Sequence, residues 1–255
     1  MSVVSTELRE RALIVTVDRP ETKNAVDPAV HDALRDAIDR AADDAQVRAV
    51  VLTGAGASFL SGGDLKFIRE RPPEETLALS RAMTALLDRL EALPVIVIAA
   101  INGYAYGGGC EIALACDYRV AEGRAKLSFR QAAMGLTTGW GAATRLSRLV
   151  PRSTALRLLA TAEVLDGEQA REAGLVDEVV EDGASVARAC ALAAEVARVS
   201  PRAVAGMKRV LASAYGGTSI SARALEEEVF RSLWGAEDHT EALEAYFAKR
   251  SPRWR

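Results

Sequence analysis

Hydrophobic and polar positions divide the chain into short apolar strands and longer amphipathic helices. Val3–Leu8 and Ala12–Val17 are β-rich runs on either side of Arg9-Glu10-Arg11, which predicts a hairpin. Asp27-Pro28 predicts a helix start, with the carboxylate as cap and the proline in the first turn. Val30, Leu34, Ala37, Ile38 and Ala41 then recur at helical spacing and mark a buried face. Val47–Gly54 (VRAVVLTG) is a near-continuous apolar run, the pattern of a strand covered on both faces. A loop follows from Gly54 to Phe67. Glu74–Ala92 predicts a second amphipathic helix with Leu79, Met83, Leu86, Leu87 and Leu90 turned inward. Pro94–Ile101 (PVIVIAAI) reads as another buried strand, and Tyr118–Ala121 and Lys126–Phe129 as further short ones. This alternation argues for an α/β chain with right-handed crossovers. From Ala142 helices dominate, broken by a strand with turns inside Gly174–Gly183. Pro201–Arg255 predicts three helices, the last starting near Asp238 or Thr240. The expected division is an α/β core over 1–198 and a helical region over 199–255, suited to packing on a neighbouring subunit.

Two glycine-bearing loops follow buried strands directly. Val50–Gly54 leads into Ser58–Leu65 (SFLSGGDL), and Val95–Gly103 leads into Tyr104–Glu111 (YAYGGGCE). In an α/β sheet, ligands gather at the carboxyl ends of strands. Two loops meeting there can each present a backbone N–H, and a helix opening behind the second adds unpaired N–H groups. Two converging N–H groups suit a developing oxyanion, and glycine keeps side chains out of the approach. The same loops also read as tight turns that let strand and helix pack closely. Dinucleotide, P-loop and nucleophile-elbow fingerprints do not occur, so those chemistries lose support.

Composition narrows the setting. Of 255 residues 49% are hydrophobic and 26% charged, as in ordinary globular chains. A net charge of −3 with scattered basic residues gives no field for nucleic acid. Cys110, Cys116 and Cys190 form neither a zinc spacing nor a disulfide framework, which fits a reducing, cytoplasmic setting and no metal. The N-terminus lacks the pattern of a signal peptide. The longest apolar run falls far short of the roughly 20 residues needed to span a bilayer, so no membrane role is expected. His31 and His239 read as surface or capping residues; Tyr104 and Tyr106 flank the glycine stretch and either face a ligand or pack.

The ordered segments RPETKNAVD, SFLSGGDLK, AAINGYAYGGGCEIALACDYRVA, GLTTGWGAATRLSRLV, AREAGLVDEVV, SPRAVAGMKRVL and EDHTEALEAYFAKRSP make the chain resemble the crotonase superfamily, also called the enoyl-CoA hydratase/isomerase family. The resemblance runs along nearly the whole chain. It implies a spiral of ββα units with a helical C-terminal region. It implies an acyl-CoA substrate, no separate cofactor because coenzyme A is part of that substrate, and a homotrimer or dimer of trimers. The family's oxyanion-hole N–H groups fall on Ser61 and Gly108. Gly62, Gly63, Asp64, Leu65 and Lys66 match the segment beside the CoA, with Gly107, Asn24 and Ala25 also near the ligand. Tyr246 and Lys249 match a tail that helps close the CoA pocket in relatives.

The family's hydratases use two glutamates. The first position is Glu111, whose other reading is a buried acid paired within the core. The second, four residues before Gly135, is Gln131. An amide neither accepts nor returns a proton at neutral pH, so Glu111 is left to do both tasks or to share them with water. The resemblance implies a hydratase-like lyase that stabilises a thioester enolate. The alternative is a methylmalonyl- or ethylmalonyl-CoA-type decarboxylase, because loss of CO2 supplies the electrons without a base. The stretch MGLTTGWGAATRL is similar to such decarboxylases and places Trp140 as a wall of the acyl pocket. A further alternative is a CoA-binding scaffold without catalysis.

Overall fold

The computed structural model describes residues 2–254. The chain begins with strands β1 (Val4–Arg9) and β2 (Ala12–Val17), paired as an antiparallel hairpin. Helix α1 (Pro28–Asp43) follows, and the Asp27 carboxylate accepts from the Val30 N–H at 3.0 Å. Its buried residues are the five that the helical spacing selects. Strands β3 (Ala49–Gly54) and β4 (Ser58–Leu60) lead to helices α2 (Leu65–Glu70) and α3 (Pro73–Glu91). Next come β5 (Ile96–Ile101), β6 (Tyr104–Tyr106) and α4 (Gly108–Leu114), then β7 (Tyr118–Glu122) and β8 (Lys126–Ser128). Helices α5 (Ala142–Leu149) and α6 (Arg152–Thr161) precede β9 (Leu165–Asp166), α7 (Gly167–Glu172), β10 (Glu178–Val180) and α8 (Ser185–Val196). Helices α9 (Pro201–Gly216), α10 (Ser219–Leu233) and α11 (Glu237–Phe247) complete the chain.

From β3 to β8 successive strands alternate between two sheets. The larger runs β1-β2-β3-β5-β7-β10 and is parallel beyond the hairpin; the smaller runs β4-β6-β8-β9. Each pair (β3 with β4, β5 with β6, β7 with β8) adds one strand to each sheet before the chain turns into helix. The product is the ββα spiral expected for the family. The continuous apolar character of β3 and β5 has a direct cause. Leu13, Val15, Val50, Leu52, Val97 and Ala99 face the cluster under α1 and α3, while Ile14, Ala49, Val51, Ile98 and Ala100 face Ala189 and Ala193 of α8. With both faces covered, neither face needs polar residues.

The sequence pattern marks β4 and β6 only as loops. At three residues each they are too short to display a period of two. They position the site, because α4 begins immediately after β6 and rests on β4. A Cβ on Gly109 would lie 1.8 Å from the Leu60 carbonyl oxygen, so only glycine allows that approach. The last helix begins at Glu237, one residue before the earlier of the two expected starts.

Asn24 holds the first glycine loop from below. It is wholly buried in the left-handed region at φ 58°. Its amide donates to the carbonyl oxygens of Ala55, Ser58 and Phe59 at 3.0, 2.8 and 3.1 Å, and its oxygen accepts from the Arg19 N–H at 2.9 Å. Asn24→Ala strands buried carbonyls and places a less tolerant residue at positive φ. The expected loss is about 3 kcal/mol in urea unfolding. A change within about 0.5 kcal/mol, the range of an ordinary surface substitution, would remove Asn24 as the clamp of this loop.

Helices α9–α11 join the core through specific polar contacts. Arg48 Nη2 donates to the Val199 carbonyl at 2.6 Å, and Lys208 Nζ meets the Asp117 carboxylate at 2.6 Å. The same helices leave Met207, Leu211, Tyr215, Phe230, Trp234 and Phe247 largely exposed.

Candidate active site

The two glycine loops meet. Gly62 has φ 88°, and a Cβ there would lie 2.7 Å from the Gly108 nitrogen. Ser61 turns its hydroxyl away, donating to the Thr22 carbonyl at 3.2 Å, so only its backbone faces the junction's chemistry. Among the described residues neither the Ser61 nor the Gly108 N–H is hydrogen-bonded. Gly107, at φ 52°, caps α4 and gives its own N–H to the Ser128 carbonyl at 2.9 Å. Only glycine adopts this turn without strain.

Glu111 lies one turn into α4 and is 2% exposed. Its carboxylate accepts four hydrogen bonds. Oε1 takes Gln131 Nε2 at 2.7 Å and the Gly139 N–H at 3.3 Å; Oε2 takes the Trp140 N–H at 2.7 Å and the Ala142 N–H at 3.0 Å. These bonds fill the acceptor sites of a carboxylate. They also supply what α5 lacks, since its cap residue Gly141 has no side chain to satisfy the first N–H groups. Glu111 and Gln131, twenty positions apart, are therefore in direct contact. Gln131 starts a turn through Ala132–Met134 that closes at Gly135 in the left-handed region. Its Oε1 is buried and has no partner among the described residues.

The indole of Trp140 lies against the opening of α4. A Cβ on Gly108 would be 2.2 Å from its Cζ3, and one on Gly63 would be 3.9 Å from Cζ2 and 3.1 Å from Ile68 Cδ1. Arg145 holds the loop behind. Its Nη1 donates to the Trp140 carbonyl at 2.8 Å, while Nη2 and Nε bind Asp88 and Glu91 of α3 at 2.6 and 2.9 Å. Residue-type reasoning misses Arg145, Ile68 and the backbone donors of 139–142. The Gly-Trp-Gly run ahead of a helix is their one sequence signal.

The other expected site residues fall around this junction with different tasks. Asp64 caps α2, accepting from the Lys66 and Phe67 N–H groups at 2.9 and 3.2 Å, and pairs with Arg19 at 3.2 Å. Ala25 is buried beside it, its carbonyl accepting from Arg19 Nη1 at 2.8 Å. Asn24 and Asp64 thus shape the loop with their side chains. Leu65 and Lys66 stand exposed at the start of α2. Tyr104 and Tyr106 stack edge to face at 5.4 Å, and burial pushes the Tyr106 phenol up from its ordinary value. Burial likewise pushes the Cys110 and Cys116 thiols up to about 12, which leaves neither as a nucleophile. His31 contacts Asp32 on α1, and His239 accepts from the Gly235 N–H at 2.8 Å as a cap. Among the described residues no cluster of His, Cys, Asp or Glu side chains could hold a metal ion, and no helix is long and apolar enough to cross a membrane.

The profile of the Enoyl-CoA hydratase/isomerase family matches residues 8–255. The chain belongs to this family. It is therefore an enzyme of the crotonase superfamily acting on acyl-CoA thioesters, of the hydratase-like lyase type. The 2,3-dehydroadipyl-CoA hydratase of Escherichia coli (strain K12) is 34% identical, over 99% of this chain and 98% of that protein. The (E)-benzylidenesuccinyl-CoA hydratase of Thauera aromatica is 36% identical, with the same coverage. The crystal structure of an enoyl-CoA hydratase from Bacillus anthracis superposes with a TM-score of 0.95 at 29% identity, over 99% of this chain and 98% of that one. The crotonase fold thus extends along the chain, helical tail included.

Proposed function

We propose that the protein is an enoyl-CoA hydratase-like lyase that works with one carboxylate. The observation that carries this reading is Glu111 beside the Gly108 N–H, with Gln131 where a second acid would stand. The thioester oxygen sits between the Ser61 and Gly108 N–H groups, which stabilise the negative charge that develops there. Glu111 takes a proton from water as the water oxygen bonds to C3. The double-bond electrons move through C2 to the thioester oxygen, and the same carboxyl returns the proton to C2 as the enolate collapses. Oε1 is the working oxygen, since its longer bond to Gly139 and its side-chain donor Gln131 yield more readily than the two short backbone bonds on Oε2. Gln131 orients the carboxylate or a water through its amide. Gly62, Gly63, Leu65, Lys66 and Gly107 border the thioester and its CoA, Trp140 borders the acyl group, and Asn24, Ala25 and Asp64 support the loop that does so. Coenzyme A enters with the substrate, and no further cofactor is required.

A second reading rests on Gln131 as well. In an alkylmalonyl-type thioester the C2–CO2 bond breaks, its electron pair becomes the same enolate, and a proton replaces CO2 at C2. That reaction needs the oxyanion donors and one proton donor but no base. Mass spectrometry of the protein with crotonyl-CoA, methylmalonyl-CoA and ethylmalonyl-CoA separates the two. Gain of water on crotonyl-CoA supports hydration; loss of CO2 without hydration replaces it. Binding without turnover of any of them leaves a scaffold.

The working assembly is a homotrimer or a dimer of trimers, supported by the exposed apolar side chains of α9–α11. Unpaired cysteines support a reducing, cytoplasmic setting.

Gly62→Ala tests the oxyanion hole. The new methyl is strained at φ 88° and drives against the Gly108 nitrogen. The expected result is a fall of about 10²–10³-fold in kcat, the usual loss when one such donor is displaced. An unchanged kcat in a folded variant would remove the Gly108 N–H from the mechanism.

A further inference from the structure

We infer that Trp140 is the residue that limits acyl length, restricting the site to short acyl groups; this rests on the acyl-CoA reading above. Three observations converge on it. The six-membered ring of the indole covers the Cα face of Gly108 and reaches Gly63, so it borders both loops that carry the oxyanion donors. The Trp140 backbone N–H is bonded to the Glu111 carboxylate, the group proposed to serve C2, so the residue that carries the indole is fixed beside the acyl end of the site. The backbone of this loop is also fixed from several sides.

That fixation makes the indole a wall rather than a flap. The Trp140 N–H is held by Glu111 at 2.7 Å and its carbonyl by Arg145 at 2.8 Å. Arg145 is buried and anchored to Asp88 and Glu91 on α3, and the Gly139 carbonyl accepts from Thr84 Oγ1 at 3.0 Å on the same helix. Trp140 is 8% exposed, and Ile68 beside Gly63 narrows the same side. Moving the wall by backbone motion breaks buried hydrogen bonds, including two to the carboxylate that the reaction needs. A short acyl group such as crotonyl stops before the ring. A longer chain meets it.

The test measures binding of saturated thioesters, so it does not depend on turnover. Butyryl-CoA and octanoyl-CoA are titrated calorimetrically into the full-length protein, Trp140→Ala and Trp140→Phe. Each methylene that finds an apolar surface strengthens binding roughly fourfold. The wild-type protein is expected to bind octanoyl-CoA no more tightly than butyryl-CoA. Trp140→Ala should shift the ratio at least about tenfold toward octanoyl-CoA, and Trp140→Phe, which keeps an aromatic filler for the core, should shift it partway. A ratio unchanged in both variants overturns the inference and leaves Trp140 as packing. A wild-type protein that already favours octanoyl-CoA by about 250-fold, the value for four freely buried methylenes, also overturns it. If crotonyl-CoA is not hydrated but the ratio shifts as expected, the hydratase reading fails and the length limit stands. If neither thioester binds the wild-type protein, both fail.

Discussion

Glu111→Gln is expected to lower turnover of the physiological thioester by about 10²–10⁴-fold, the range that a positioned acid–base group contributes. The substitution suits the question because the site can absorb its shape. Oε2 of the carboxylate holds the Trp140 and Ala142 N–H groups, and the new glutamine oxygen takes over that task. Its NH2 then faces Gln131, whose amide turns over to accept from it. Only the long bond from the Gly139 N–H at 3.3 Å is lost. The expected stability loss is about 1 kcal/mol. Activity and stability therefore separate, as they would not in Glu111→Ala, which strands several buried donors together. Exchange of the C2 protons of butyryl-CoA with deuterated water, followed by NMR, reads the proposed proton transfer directly. Exchange at the wild-type rate in Glu111→Gln would reduce Glu111 to a cap for α5.

Gln131→Glu is expected to raise hydration of crotonyl-CoA by about 10²-fold, by adding a second group able to take and return a proton. The new carboxyl lands 2.7 Å from Glu111, where two negative charges cannot both persist. The pair holds a shared proton, and the rate acquires an apparent pKa that belongs to the pair. The stability signature has a definite sign. In the folded variant the pair keeps a proton that the unfolded chain releases, so stability falls as pH rises through the ordinary carboxylate range and beyond. Thermal melts from acidic to neutral pH, run beside the hydration assay, show whether the pair has formed. A pair that forms without raising hydration would mean that Gln131 is not what limits the reaction. Its effect on alkylmalonyl thioesters then becomes the decisive comparison, because decarboxylation has no use for an added base.

Both substitutions act at a site whose parts were unequally legible. The residues that carry a side-chain signal could be found from their order: the glycine loops, Glu111 behind them, Gln131 counted back from Gly135, and the tryptophan between glycines. The contacts among them could not. Three of the four donors on Glu111 are not side chains: the backbone N–H groups of residues 139, 140 and 142 look alike whatever the sequence. Arg145 reads as one more charge on a helix until its partners on α3 are in place. Asn24 matched a ligand-lining segment of relatives, yet its amide is engaged by three carbonyl oxygens beneath the loop. Its position after Lys23 in a left-handed turn is a local feature; which carbonyls it meets, thirty-odd residues away, is not.

The sequence by itself determined the long helices and the long parallel strands, because helix faces repeat with a period of 3.6, helix caps are local, and strands covered on both faces are continuous apolar runs. It also determined the family, through motifs in order along the chain. Tertiary structure alone decided which short segments build the smaller sheet, since three-residue strands such as β4 and β6 carry no period. It decided the seating of α4 on β4 at Gly109 and the contact of the indole with Gly108. It also decided the four-fold satisfaction of one buried carboxylate. Each of these joins groups tens of residues apart through close packing or backbone hydrogen bonds, and neither depends on local residue spacing.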